Sequence, residues 1–380
     1  MLGPLSDYKG NSILSSAAGF EAKARIGLAA ILILGILIGA CAPKAQVSLT
    51  LGPFVKHGEN PILTPPGRGF EAVAVFNPAV IHENGRFYML YRAEDWEGVS
   101  TIGLAESEDG VHFTRRPEPV VFPEHDYEQG GGCEDPRVVK VGDTYHLTYT
   151  AYDLKTARLA LATSQDLVHW QKHGLVFPER GWTKSGAILS EKVKGKYVMY
   201  FGDLDMWIAY SDDLIHWTAR EEPVLRPRKG YFDSKLVEPG PPPILTEEGI
   251  LLIYNGANEK LRYSVGWVLF DKDDPTRVLA RAVEPILEPE TSWEKFGQVP
   301  NVTFAEGLVI KDDTWYLYYG AADMWVCLAT WRKQASGYKL LYGCSSHSTR
   351  TIPSTLLNSG SPVTITASSC WARATAKASA

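Results

Sequence analysis

Five short apolar-aromatic segments with a common ending, spaced at near-constant intervals and each preceded by a turn, predict an all-β fold, specifically a five-bladed β-propeller. The segments are Tyr88-Met89-Leu90-Tyr91, His146-Leu147-Thr148-Tyr149, Tyr197-Val198-Met199-Tyr200, Leu251-Leu252-Ile253-Tyr254 and Tyr316-Leu317-Tyr318-Tyr319. Their final tyrosines lie 58, 51, 54 and 65 residues apart. Repeats of about 50 residues, each holding several short strands, are the sequence signature of propeller blades. A β-sandwich with duplicated strands would not impose such regular spacing.

Each element follows in order. Upstream of every segment stands a turn pair: Asn84-Gly85, Gly142-Asp143, Lys194-Gly195, Glu248-Gly249 and Asp312-Asp313. Such pairs favour the backbone angles of tight hairpins. Three units carry a second repeat, at Ser107–Phe113, Ser164–Trp170 and Ser211–Trp217, each with Asp and His at fixed offsets and an aromatic at the end. It reads as a polar turn capped by a packing aromatic, so His112, His169 and His216 are assigned to structure. No long helical pattern occurs between residues 50 and 330. Beyond Trp331 the pattern stops, and residues 345–380 are rich in Ser, Thr and Ala. That leaves open how the last unit obtains its outer strand, which a propeller needs to avoid a free edge.

The first forty residues stand apart from the repeats. Lys23 and Arg25 precede an uncharged apolar run from Ile26 to Ala40, short for a membrane span and suited to a signal-peptide core. Leu37-Ile38-Gly39-Ala40-Cys41 resembles a bacterial lipobox, in which Cys41 carries the lipid. The predicted organisation is a lipoprotein signal peptide at 1–40, a lipidated cysteine and tether at 41–51, a propeller at 52–330 and an atypical tail at 331–380. The expected location is exported and held to a bacterial membrane by lipid alone. The other four cysteines show no Cys-x-x-Cys spacing, and no disulfide is assigned.

A net charge of −6 and the absence of a basic face exclude nucleic acid as the main partner. Eleven Trp and eighteen Tyr suit β-sheet cores and also the flat platforms on which sugar rings stack. The nine His show no paired zinc-ligand spacing, so neither a catalytic metal nor a cofactor is predicted.

A propeller axis gathers the polar residues at the starts of the inner strands. The most unusual local setting is Gly130-Gly131-Gly132-Cys133-Glu134-Asp135-Pro136-Arg137. Its glycines free the backbone, Pro136 is expected to hold Asp135 extended, and two carboxylates adjoin an arginine. Comparable settings recur at Asn77-Pro78, Arg92-Ala93-Glu94, Lys184-Ser185-Gly186, Glu238-Pro239, Pro300-Asn301 and Glu306-Gly307. Cleavage of a glycosidic bond uses two carboxyl groups across it, and Asp135, Glu238 and Glu306 come from different units.

At these residues the chain resembles glycoside hydrolase family 130, over roughly residues 52–330. The motifs are Phe76-Asn77-Pro78-Ala79, Tyr91-Arg92-Ala93, Glu134-Asp135-Pro136-Arg137, Ala209–Trp217, Gly240-Pro241-Pro242-Pro243-Ile244 and Val299-Pro300-Asn301-Val302. The resemblance implies a five-bladed propeller acting on β-mannosides, with Asp135 as proton donor and with Arg92 and Arg137 in the sugar pocket. Asn77, Glu134, Lys184, Asp203, Asn255 and Asn301 complete the expected binding set. The family's phosphorylases carry His-Arg-Pro where this chain has Phe201-Gly202-Asp203, and His where Asn255 stands. A phosphate dianion needs several cationic or donor partners. Glu238 and Glu306, by contrast, suit a base that activates water. The first expectation is therefore an inverting exo-β-mannosidase that hydrolyses β-1,2-linked manno-oligosaccharides, with an Asp acid and a Glu base. The alternatives are a phosphorylase that releases mannose 1-phosphate and a non-catalytic sugar-binding lipoprotein.

Overall fold

The computed structural model describes residues 51–332. Cys41, the apolar run before it and the tail after Arg332 lie outside them.

The described chain is all-β; among its residues the one α-helix is the four-residue Ser292–Lys295. A two-residue strand, β1 (Val55–Lys56), comes first. Antiparallel meanders follow. The first is β2 (Ala74–Glu83), β3 (Arg86–Glu94), β4 (Ser100–Ser107) and β5 (Thr114–Arg115). The second is β6 (Gly132–Val141), β7 (Thr144–Tyr152), β8 (Ala157–Ser164) and β9 (Gln171–Leu175). The third is β10 (Ala187–Ile188), β11 (Tyr197–Phe201), β12 (Trp207–Ser211) and β13 (Trp217–Ala219). The fourth is β14 (Leu236–Pro239), β16 (Ile250–Ala257), β17 (Tyr263–Phe270) and β18 (Val278–Arg281), with β15 (Ile244–Leu245) also paired to β16. The fifth is β19 (Thr303–Lys311), β20 (Thr314–Ala321) and β21 (Trp325–Arg332). A parallel bridge from Ser100 to Gly132 merges the first two meanders into one sheet, so the sheets number four.

The fifth meander obtains its outer strand from the other end of the repeats. Val55 and Lys56 of β1 pair antiparallel with Thr330 and Ala329 of β21. The tail is thus not needed to cover that edge. A two-residue strand carries no periodic pattern, which is why sequence reasoning left this closure open. Successive units contact one another: β19 packs on β2, β2 on β6 and β6 on β10, while β11 meets β14 and β16 meets β19.

Three of the five hairpin pairs take two successive left-handed angles. Asn84 and Gly85 have φ of 51° and 80°, Lys194 and Gly195 49° and 85°, and Asp312 and Asp313 49° and 60°. Two positive φ values in succession are the mark of a two-residue hairpin turn whose twist matches the strands. In the repeated polar turns, Asp109 Oδ1 accepts the Val111 and His112 amides at 2.8 and 2.9 Å, and His112 Nδ1 lies 2.7 Å from Asp109 Oδ2. Asp166 with His169 and Asp213 with His216 repeat this geometry. These exposed imidazoles close turns.

The repeated tyrosines that mark the units are buried and, in four units, end on a buried carboxylate. Tyr91 donates to Glu71, Tyr149 to Glu128 at 2.6 Å, Tyr254 to Asp233 at 2.6 Å and Tyr319 to Glu294 at 2.8 Å. A cation reaches each acid: Arg115, Lys172, Arg228 with Arg281, and Lys56 respectively. The third unit differs, since Tyr200 donates to the Pro275 carbonyl at 2.9 Å. Lys56 belongs to β1, so the same device that braces the other units fastens the closing strand. A buried charge is tolerated when paired and hydrogen-bonded, and each carboxylate here is both.

Candidate active site

The site grows from one feature repeated in all five units. At or just before the first strand stands a buried polar residue followed by Pro or Gly: Asn77-Pro78, Asp135-Pro136, Ser185-Gly186, Glu238-Pro239 and Glu306-Gly307. In β2, β6 and β19 this position coincides with a bulge in the ladder. An extra residue at a bulge turns its side chain out of the alternation and breaks the pairing. Pro, which has no N–H, and Gly, which has no side chain, suit that interruption.

Asp135 does not take the extended conformation expected before Pro136; its φ is 48°, beside 47° for Asn77 and 59° for Ser185. The bulge overrides the local preference, and short polar residues bear the left-handed region best. The consequence is contact: Asn77 Nδ2 donates to Asp135 Oδ1 at 2.8 Å. Arg92 spans both acids of the motif, with Nη2 2.8 Å from Glu134 and Nη1 3.3 Å from Asp135. Its own Nε donates to Ser100 Oγ at 2.9 Å, and its guanidinium lies 4.7 Å over the Phe76 ring.

On the other side, Ser185 donates to Glu238, whose Oε1 is 3.4 Å from Lys184 Nζ. Arg137 is fully enclosed. It donates to the carbonyls of Gly240 at 3.0 Å, Pro239 at 2.9 Å and Asp135 at 3.2 Å. Its Nη2 also lies 2.7 Å from Glu306 Oε1. That contact is close in charge but off the hydrogen-bond direction, and both Glu306 oxygens are left without a hydrogen bond. Arg137 and Glu306 are thus enclosed and link the second, fourth and fifth units.

Burial and cations divide these carboxyls into two groups. Burial works to raise Asp135, but Arg92, Lys184, Asn77 and Arg137 outweigh it and hold its pKa below the usual value. Glu134 and Glu238 are raised, burial prevailing over Arg92 and Lys184 respectively. Glu306 is raised well above the ordinary range by burial, despite Arg137. Desolvation penalises a charge and a nearby opposite charge restores it. Asp135 is accordingly the most readily ionised acid of the set.

Of the remaining predicted residues, Asp203 lies near Lys184 and Glu238 and accepts a hydrogen bond from Trp182 Nε1 at 2.6 Å. Asn255 is buried with its amide spent on one residue: Nδ2 donates to the Ala305 carbonyl at 3.0 Å, and Oδ1 accepts the Ala305 N–H at 2.8 Å. It therefore fixes the strand next to Glu306. Asn301 is exposed, with φ 63° and its carbonyl accepting the Tyr263 amide at 3.0 Å. Two neighbours of the pocket escaped sequence reasoning. Asp323, in the turn between β20 and β21, is pushed up to about 7 by burial, against the pull of Arg92. Tyr263 is pushed up to about 12 by burial and by Glu238.

Comparisons with known proteins give the family of the chain. A family model described as beta-1,4-mannooligosaccharide phosphorylase, of glycoside hydrolase family 130, matches residues 57–335. A 1,2-beta-oligomannan phosphorylase from Thermoanaerobacter sp. (strain X514) is 42% identical, over 70% of this chain and 92% of that protein. A beta-1,2-mannobiose phosphorylase of the same organism is 41% identical, over 72% and 95%. A solved structure is described by the words "The GH130 family of mannoside phosphorylases contains glycoside hydrolases that target beta-1,2 mannosidic linkages in Candida mannan". It is 38% identical with a TM-score of 0.72, covering 75% of this chain and 95% of that one. With the motif Glu134-Asp135-Pro136-Arg137 at the centre of this cluster of carboxyls and cations, the chain belongs to glycoside hydrolase family 130.

Proposed function

We propose that the five meanders are the blades of a five-bladed propeller, and that the pocket at its axis cleaves β-mannosidic bonds, β-1,2 linkages in particular, with phosphate as acceptor. The circuit of contacts from unit to unit supports the architecture. The setting of Asp135 carries the chemistry. An inverting cleavage needs a proton on the leaving oxygen while the acceptor attacks C1 from the opposite face. Arg92 and Lys184 draw that proton off Asp135. A phosphate dianion held by the same two cations would offset them and return Asp135 towards its protonated form. The acceptor would thus arm the acid. Phosphate oxygen then bonds to C1, the glycosidic C1–O bond breaks, and the Asp135 proton passes to the departing sugar. The products are mannose 1-phosphate and a shortened oligosaccharide.

The curated relatives favour this acceptor over water, which reverses the order expected from the sequence. Hydrolysis is the second reading, and Glu238 favours it: a carboxyl 3.4 Å from Lys184 crowds a dianion and can take a proton from water. Incubating the protein with β-1,2-mannobiose, with and without phosphate, separates the two. Phosphate-dependent mannose 1-phosphate is expected. Free mannose at a rate indifferent to phosphate would establish hydrolysis instead, and a sugar that binds without turnover would leave only the sugar-binding role.

We also propose that Cys41 carries a lipid that holds the protein at a bacterial membrane, on the strength of the apolar run and the small residues before it. In cells fed labelled fatty acid, Cys41→Ser should abolish incorporation. Undiminished labelling would refute the anchor.

A further inference from the structure

One indole beside the Lys184 and Glu238 cluster is held more firmly than an exposed side chain needs to be. Trp182 is 55% exposed. Isolated exposed aromatics are common and carry no message by themselves. What distinguishes Trp182 is the way it is fixed. Its Nε1 donates at 2.6 Å to a carboxylate oxygen of Asp203, a charge-assisted bond that sets the tilt of the ring. Trp170 and Trp217 also use their Nε1 groups, but on the carbonyls of their own turns, Leu167 and Leu214, and both rings are more enclosed.

The chain on either side of Trp182 is anchored as well. Two residues before it, the Arg180 guanidinium lies over three rings, 5.8 Å from Phe177, 5.9 Å from Phe201 and 5.5 Å from Trp207. One residue after it, the Thr183 amide donates to the Ala157 carbonyl at 2.9 Å, and its hydroxyl accepts the Leu159 amide at 3.1 Å. Next comes Lys184, whose carbonyl accepts the Gly202 amide at 2.9 Å and whose ammonium faces Glu238. The turn bearing Asp203 is therefore tied to the strand start that bears the pocket lysine. An aromatic face has been placed rigidly beside the site and left uncovered.

We propose that Trp182 is a sugar platform, a specificity-determining residue on whose face a pyranose ring of the oligosaccharide stacks outside the pocket that holds the cleaved mannose. A pyranose presents a patch of C–H bonds with slight positive charge, which suits the negative face of an indole. A ring locked in place beforehand loses little freedom on binding, so more of the contact appears as affinity. Asp203 acts here as a positioning residue through the indole. The chemistry selects a neutral oligosaccharide of three or more units, since a disaccharide leaves fewer rings to reach beyond the pocket.

This rests on the glycoside-cleaving reading above. The test compares β-1,2-linked mannobiose and mannotriose with wild type, Trp182→Ala and Trp182→Phe, measuring KM and kcat for each sugar. Binding of the same sugars to Asp135→Asn, with and without Trp182→Ala, is measured by calorimetry. Trp182→Ala should raise KM and Kd for the trisaccharide about 3- to 10-fold, as loss of one stacked ring predicts, with kcat nearly unchanged. The disaccharide should suffer less, and Trp182→Phe should restore most of the loss. An unchanged ratio of trisaccharide to disaccharide KM in Trp182→Ala overturns the platform and leaves the enzyme reading intact. A wild-type protein that binds neither sugar overturns both.

Discussion

Asp135→Asn should reduce turnover of β-1,2-mannobiose by about 10²–10⁴-fold, the usual contribution of a positioned general acid. The substitution isolates the proton. Asn is among the residues that accept a positive φ, so the 48° backbone angle in the bulge is not strained. Its side-chain oxygen can still accept the hydrogen bond that Asn77 Nδ2 makes at 2.8 Å. Alanine would be a poorer probe, because it would strain the bulge and leave Asn77 unpaired as well. Steady-state rates, read beside the thermal melting curve, check the expectation. Near-native kcat in a folded Asp135→Asn protein would remove Asp135 from the chemistry and direct attention to Asp323, the neighbouring acid pushed up to about 7. Sugar affinity should change far less than kcat, since the acid acts on the transition state.

The sequence exposed those parts of the molecule that repeat at a fixed offset from a residue type with one job. The tyrosines at 91, 149, 200, 254 and 319 recur because each is the buried end of a second strand. Their partners were legible in principle. Glu71, Glu128, Asp233 and Glu294 precede their tyrosines by 20, 21, 21 and 25 residues. They lie outside the strands, in single helical turns and a loop too short to carry a periodic pattern. The polar residue before Pro or Gly was visible in every unit, since a bulge leaves that dipeptide behind. Asp323 shows the limit. It stands four residues after Tyr319, as Asp95, Asp153 and Asn258 stand four after their own tyrosines. Those three accept backbone amides of their own turns, at 2.9, 2.8 and 3.0 Å among others. No hydrogen bond of that kind involves Asp323 among the described residues, and its carboxyl is coupled instead to Arg92 and Asp135. Four residues alike in position thus split between turn cap and pocket according to side-chain direction, which composition does not encode. Arg137 and Asn255, by contrast, directly follow a motif residue, Pro136 and Tyr254.

Replacing Arg137 should be the most damaging single change to the fold around the pocket, by about 3–5 kcal/mol, the range for breaking a buried charged contact from one side. Arg137 is 2% exposed and holds three carbonyls, those of Asp135, Pro239 and Gly240, which belong to two different units. In Arg137→Met the side chain remains long and apolar, so the volume is nearly kept while every donor is lost. Three buried acceptors then stand without partners, and an unpaired buried polar group costs about 1–3 kcal/mol. Glu306 loses its neighbouring cation as well. Since its carboxyl is already raised by burial, it answers by holding its proton more firmly, which limits the penalty from that side. Chemical denaturation of Arg137→Met against wild type gives the cost, with a lower midpoint and an unchanged slope expected. The companion Arg137→Lys keeps the charge near Glu306 but cannot reach three carbonyls with the planar fork of a guanidinium. If the carbonyls dominate, lysine should recover little of the stability. Full recovery by lysine would mean that the charge opposite Glu306, rather than the bracing of the strand starts, is what Arg137 supplies.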